Sequence, residues 1–287
     1  MDTPHLLVFG LGYTGAAIAR DAAALGWRVT ATSRTPGKQG PRGVAVVPFD
    51  DAGDALASAT HAVQTAAPDD GGDPALARFD LAAAPLLRWA GYLSTTGVYG
   101  DRRGGTVDEA TPPAPAPGRS SRRLDAEGAW RRAMAGRALD LFRVAGIYGP
   151  GRSAFDDLRA GRARRVDKPG HLFGRIHRDD IAHAVLAGAQ NPGAGVRVLN
   201  LADDEPAASA DVVAEAARLL GVEPPPVIPY EVAAAGMSEM ARSFWAENRR
   251  VSSAGTQAAL GLRWRYPTYR EGLRAILEQE RIEGAAQ

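Results

Sequence analysis

The turn between the first apolar run and the first helix limits this chain more than any other feature. "HLLVFG", His5 to Gly10, is a short apolar run ending in glycine and reads as a buried parallel strand. The following segment places Ile18, Ala22 and Leu25 on one face, which predicts a helix ending at Gly26. "WRVTATS" then reads as a second strand. The junction is Gly10-Leu11-Gly12-Tyr13-Thr14-Gly15, a G-x-G-x-x-G in a strand-helix-strand context. Gly10 permits the tight turn, Gly12 lets a pyrophosphate reach the backbone, and Gly15 lets the helix pack closely on the strand. The free N–H groups at the helix start, around Tyr13 and Thr14, complete a predicted dinucleotide site.

The end of the second strand bears on which dinucleotide. A site for NAD places an acid there, to accept from the adenosine ribose. This chain has Thr32-Ser33-Arg34-Thr35, and a hydroxyl with a guanidinium suits a 2′-phosphate. NADP is therefore expected in preference to NAD, with Ser33 and Arg34 as contacts. Asp50, at the end of a third strand (Gly43 to Asp51), is placed to meet the adenine amino group or to cap the next helix. Ala66, Ala67 and Pro68 end a fourth strand (His61 to Asp69) and are small enough for a cofactor to lie across them.

Further strands are expected in "WAGYLSTT", "ALDLFRVAGIYGPG" and "VRVLNLAD", alternating with helices that include Asp73 to Leu87 and Arg119 to Met134. That alternation predicts an α/β protein: a doubly wound parallel sheet (Rossmann) with a smaller, mostly helical C-terminal substrate lobe. The boundaries expected are 1–150 plus about 175–203 for the dinucleotide domain, and 151–174 plus 204–287 for the lobe. "TPPAPAPG", Thr111 to Gly118, reads as an extended loop able to border the site.

Composition excludes several other classes. The 287 residues carry 34 basic and 33 acidic side chains, so no electrostatic footprint for nucleic acid or an anionic membrane exists. There is no cysteine for disulfide or thiolate chemistry. No apolar stretch approaches the roughly 20 residues of a membrane helix, and the amino terminus does not read as a signal peptide. A cytoplasmic protein acting on a small molecule is expected. No two histidines stand at i, i+4, so no metal site is expected.

"GLGYTG", "LSTTGVYGD", "FRVAGIYGPGR" and "RIHRDDIAHAV" follow one another in the order and spacing of the extended short-chain dehydrogenase/reductase family, the epimerase and dehydratase relatives. The resemblance covers nearly the whole chain. It implies that Thr95, four residues before the tyrosine of "VYG", assists catalysis, with Ser94 and Thr96 as second choices. It also implies a base, a tyrosine roughly 25 residues further on with a lysine four after it. Counting from Thr95 arrives at Ser120 and Leu124. None of the seven tyrosines has a lysine four residues later, and Lys38 and Lys168 are the only lysines. The chain thus resembles the atypical members, which lack the dyad. The glycine motif also departs from the extended pattern, with Phe9 where a glycine would stand.

Ser121 and Arg122 on the helix, and Tyr148 in "GIYGPGR", are the candidates to replace the dyad. Serine and arginine are poor bases, since neither exchanges a proton near neutral pH. Thr96, Arg152 and His177 are candidate substrate contacts, with Asp179 or Asp180 capping the helix near Ile181. Tyr99 reads as a packed aromatic. Family relatives dimerise through a four-helix contact that includes the Arg119 segment, so a homodimer is implied; five arginines on that segment weigh against it. Loss of the dyad leaves two function classes: an NADP-dependent oxidoreductase or epimerase-like enzyme on a small polar, sugar-like or phosphorylated substrate, or a non-catalytic NADP(H) sensor.

Overall fold

A computed structural model describes residues 3–285. Seven strands form the central sheet: β1 (His5–Phe9), β2 (Arg28–Ser33), β3 (Val44–Pro48), β4 (His61–Gln64), β5 (Trp89–Thr95), β6 (Ala138–Val144) and β7 (Val196–Leu201). All pair in parallel, in the order β7-β6-β5-β4-β1-β2-β3. The order reverses beside β1, which opens a crevice at the carboxyl ends of the strands, where open α/β sheets bind ligands.

Every residue of β1 is buried, as a central parallel strand requires. Its side chains alternate between two cores. Leu6 and Val8 pack with Ile18, Ile181 and Val185 on one face. Leu7 and Phe9 pack with Leu56, Tyr92 and Trp130 on the other. The helices Tyr13–Ala24 and Arg178–Gln190 cover the first face, and Arg119–Ala133 covers the second. Trp130 stacks on Tyr92 with ring centroids 5.7 Å apart, and full burial of such a side chain contributes about 3 kcal/mol. Smaller apolar clusters lie around Tyr148 and Tyr269, and around Trp245.

Two expectations on the elements need correction. The helix expected over Asp73 to Leu87 is confined to Pro74–Arg78. Asp73 caps it by accepting from the N–H groups of Ala75 and Leu76. Asp80 then accepts from Ala82 N–H at 2.9 Å, a local turn that competes with the helix ahead of Pro85. The cap of the helix Arg178–Gln190 is neither Asp179 nor Asp180. His177 fills that position, its Nδ1 accepting from Asp179 N–H. Asp180 reaches instead across to Arg265 N–H and Tyr266 N–H, at 2.8 and 3.0 Å.

Candidate functional site

The glycine turn is built from β1, β2 and β4 together. Gly10 has φ +99°, and its N–H donates to Thr32 Oγ1 at 3.0 Å. Thr65 Oγ1 donates to Gly10 O at 2.7 Å and holds the turn from below. A Cβ on Gly15 would lie 2.1 Å from Gly10 O, so helix and turn touch backbone to backbone. Gly12 differs from both. It is exposed, its φ is an ordinary −86°, and no atom lies within 4 Å of where its Cβ would be. Nothing inside the protein needs glycine at that point, and a side chain there would only fill the crevice. Gly12 is also the N-cap and supplies no side-chain acceptor, so the first helical N–H groups stay free for an anion. These residues fit a dinucleotide diphosphate.

The other cofactor candidates divide. Tyr13 points its side chain away from the turn: the phenol donates to Pro150 O at 3.0 Å, and the ring centroid lies 4.9 Å from the Arg178 guanidinium and 5.8 Å from that of Arg152. Thr14 is buried, so Tyr13 and Thr14 can offer a phosphate only main-chain groups. Ser33 and Arg34 border a cavity of about 480 Å³ beyond β2, and Arg34 is exposed. Lys38, which the sequence did not single out, bridges that loop to the glycine turn by donating to Leu11 O at 2.6 Å. Asp50 is exposed and sits 3.6 Å from Arg78, whose Nη2 also donates to Asp50 O. That pairing gives the expected adenine contact no support. Ala66, Ala67 and Pro68 follow β4 and are partly open; Ala66 N–H donates to Gln64 Oε1, and Gln64 is tied in turn to Asp73.

The three hydroxyls at the end of β5 do not share one face. Thr95 and Thr96 line a cleft of about 750 Å³ at the strand ends. Thr95 Oγ1 accepts from Gly97 N–H at 3.1 Å, leaving its own proton available. Ser94 faces the opposite side and donates to Glu127 Oε1 at 2.6 Å. Glu127 accepts two bonds from Arg143, which neighbours Ser94 in register. The Arg143 guanidinium lies 4.8 Å from the ring of Tyr99, whose hydroxyl donates to Asn200 Oδ1. Ser94 and Tyr99 therefore belong to the packing.

Among the candidates to replace the dyad, Ser121 and Arg122 are set aside by the structure. Arg122 pairs with Asp70 at 2.9 Å, and the first helical turn brings Arg119 and Ser120, rather than Ser121 and Arg122, to the lining of the cleft. Ser120 Oγ would stand 2.6 Å from a Cβ on Gly97, which puts it close beside the Thr95 turn. Counting from Thr95 had reached that residue. Tyr148 lines the cleft but is 8% exposed, and its hydroxyl donates toward Thr268 O at 3.4 Å. Burial, reinforced by Asp203, drives its pKa upward, so it keeps its proton and cannot serve as a base.

His177, expected as a substrate contact, is corrected. It is 1% exposed, packed against Tyr148 and Tyr266, and held neutral by burial with its pKa lowered to about 4. Arg152 borders a separate cavity of about 350 Å³ together with Tyr269 and Arg175. Arg175 and Asp203 were not anticipated. No pattern of spacing marks them, because their importance comes from burial in the folded chain. Among the described residues no group of three His, Asp or Glu side chains could hold a metal ion. No helix among them is long and apolar enough to cross a membrane.

No family model matches the chain. Protein YeeZ of Escherichia coli K12 is 30% identical over 237 residues, 76% of this chain and 84% of that protein. A 3-diazoavenalumate denitrifying reductase of Streptomyces is 28% identical over 139 residues, 46% of this chain and 45% of that one. Among solved structures, a functionally unknown conserved protein of Silicibacter pomeroyi is 42% identical, with a TM-score of 0.88, covering 97% of this chain and 99% of that one. The human epimerase family protein SDR39U1 with NADPH has a TM-score of 0.77 at 21% identity, covering 96% and 99%. MoeE5 with UDP-glucuronic acid and NAD has the same TM-score and identity, covering 97% and 99%. The chain has the fold of the epimerase-type short-chain dehydrogenase/reductases, without a tyrosine–lysine pair of its own, and belongs to the family of YeeZ.

Proposed function

We propose that this chain is an NADP(H)-dependent oxidoreductase that reduces a small carbonyl compound. The observation that carries the reading is the open space over Gly12, at the same carboxyl edge of the sheet as the end of β5, where Thr95 lines the large cleft. A bound nicotinamide supplies hydride chemistry at such a site. The residues supply the rest. The free N–H groups after Gly12 hold the diphosphate, and Ser33 with Arg34 favours a 2′-phosphate over a bare ribose. Thr95 donates a hydrogen bond to the substrate oxygen, with Ser120 as its neighbour, and the proton that completes the alcohol is drawn from solvent through these hydroxyls. Residues 1–150 with about 175–203 carry the cofactor, and the remaining segments shape the substrate side.

The cleft offers hydroxyls beside Thr95, and its possible proton acceptors are poorly placed: Glu247 is paired with Arg249, Glu239 is exposed at the rim and Tyr148 is held protonated. Reduction needs only a proton donor at the developing alkoxide, whereas epimerisation or dehydration needs a base. That favours reduction. The same lack of a well-placed base supports a second reading, an NADP(H)-binding sensor without turnover. NADPH oxidation followed optically against aldehydes, ketones, oxo acids and sugars separates the two. Turnover is expected with a carbonyl compound, falling about a hundredfold in Thr95→Ala. Tight NADPH binding with no oxidation across the panel contradicts the enzyme reading and leaves the sensor.

A further inference from the structure

The substrate cleft contains a cation that the protein leaves uncompensated. Arg175, at the start of the short strand Arg175–His177, lines both the large cleft and the smaller cavity behind Tyr148. Its Nη1 donates to the carbonyl oxygens of Phe173 and Ala207, each at 2.9 Å. Those bonds fix the guanidinium but carry no opposing charge. Among the described residues no carboxylate lies within ion-pair distance, and burial lowers its pKa from the ordinary arginine value. The acid acting on it most strongly is Asp203. That carboxyl is 2% exposed, neither oxygen has a hydrogen-bond partner, and burial pushes it up to about 8. Burial thus favours the neutral form of Asp203, and it forms no ion pair with Arg175. Arg175 is half-buried, and a guanidinium so placed without a charged partner is costly until something pairs with it. The other cleft charges do not. Glu247 is taken by Arg249 at 2.6 Å, and Glu239 is exposed at the rim.

The walls around this cation are apolar. Ile147, Leu172, Phe173, Met240 and Phe244 line the same cleft. Phe244 is 53% exposed and Met240 60%, both on the helix Glu239–Ala246 at the cleft. Arg119 lies 4.9 Å from the Phe244 ring centroid and adds a second positive group at the entrance. The cleft's two carboxylates, Glu239 and Glu247, lie at the rim and in a pair with Arg249, so the groups left for a ligand are hydroxyls, apolar side chains and the arginines.

Building on the reductase reading of the same cleft, we infer that its substrate is an organic acid: a flat, apolar carbonyl compound whose carboxylate is held by Arg175 while Thr95 meets the carbonyl oxygen. The reaction adds a hydride from NADPH to the carbonyl carbon and a solvent proton, relayed at the Thr95 hydroxyl, to its oxygen, giving a hydroxy acid and NADP⁺.

Titration calorimetry tests this on the NADP⁺-loaded protein with three probes: phenylpyruvate, the neutral ketone phenylacetone and UDP-glucose. Phenylpyruvate is expected to bind at least about tenfold more tightly than phenylacetone, the difference a charge-assisted hydrogen bond makes. Arg175→Gln is expected to abolish that difference while leaving phenylacetone binding unchanged. Should Arg175→Gln fail to fold, the acid and neutral ketone compared on the unaltered protein still decide. Equal binding of the two, no heat from phenylpyruvate at millimolar concentration, or tighter binding of UDP-glucose overturns the inference. Failure of NADP⁺ itself to bind at the loading step overturns the cofactor reading instead, so the two failures are distinct.

Discussion

Gly12 and Gly15 are the same residue type for opposite reasons. A Cβ at Gly15 meets the backbone oxygen of Gly10, which cannot move aside without opening the turn. Gly15→Ala is expected to destabilise the protein by about 3 kcal/mol, the upper end for overpacking, measurable by urea unfolding. Gly12→Ala meets nothing and is expected to melt like the parent. Arg34 makes its contribution only with ligand present. Arg34→Ala is expected to weaken NADPH binding by about tenfold or more and leave NADH binding unchanged, checked by nicotinamide fluorescence. At this scale the cofactor end was legible in the sequence, because a glycine turn is a local backbone requirement. The reacting end was less so. Counting along the chain found Ser120, but helical phase decides which side chains enter the cleft, and it excluded Ser121 and Arg122.

The helix Arg119–Ala133 carries Ser120 at its first turn and Glu127 near its middle. Glu127 binds Ser94 on β5 and Arg143 on β6, both almost fully buried, so one side chain fixes the helix against two strands. Glu127→Ala leaves a buried guanidinium without its partner and is expected to cost about 3–5 kcal/mol. Arg143→Met introduced alongside it is expected to recover part of that loss, since the stranded charge is gone. A double-mutant cycle in denaturant measures the coupling; additive losses would show that the clamp does not exist. Nothing in the sequence joins Ser94, Glu127 and Arg143. Only the parallel register of β5 and β6 brings them together. The short helix Pro74–Arg78 teaches the reverse. Its alanine-rich continuation favours helix locally, yet the Asp80 turn ends it.

Across the whole molecule, strand-helix alternation was enough to anticipate the doubly wound sheet, since parallel strands buried on both faces are continuous apolar runs. Burial of charge was not legible, because it depends on every layer of the fold at once. That burial gives stability a defined pH dependence. All five histidines have lowered pKa values from desolvation, His61 and His177 to about 4. Their folded values lie below the ordinary 6.5, so the stability they contribute is complete above about pH 6.5 and is lost as pH falls toward 4. Asp203 runs the other way. Its folded value, about 8, lies above the ordinary 3.8, so its contribution is complete below about 4 and is lost as pH rises to 8. Five histidines against two buried carboxyls with raised values, Asp180 and Asp203, favour rising stability up to about pH 6.5, and Asp203 lowers it beyond. The melting temperature is expected to peak near pH 6.5. Asp203→Asn is expected to flatten the fall between there and pH 8; an unchanged fall would show that Asp203 is not buried as a neutral acid.

The claim on which the rest depends is that a nicotinamide dinucleotide lies against the open backbone at Gly12, and calorimetric titration of NADPH into the parent protein and Gly12→Ala tests it most directly. Saturable one-to-one binding to the parent, at least about tenfold weaker in a Gly12→Ala protein of unchanged melting temperature, is the result predicted. Equal binding by the two proteins, or no heat from the folded parent with NADPH or NADH, would contradict it.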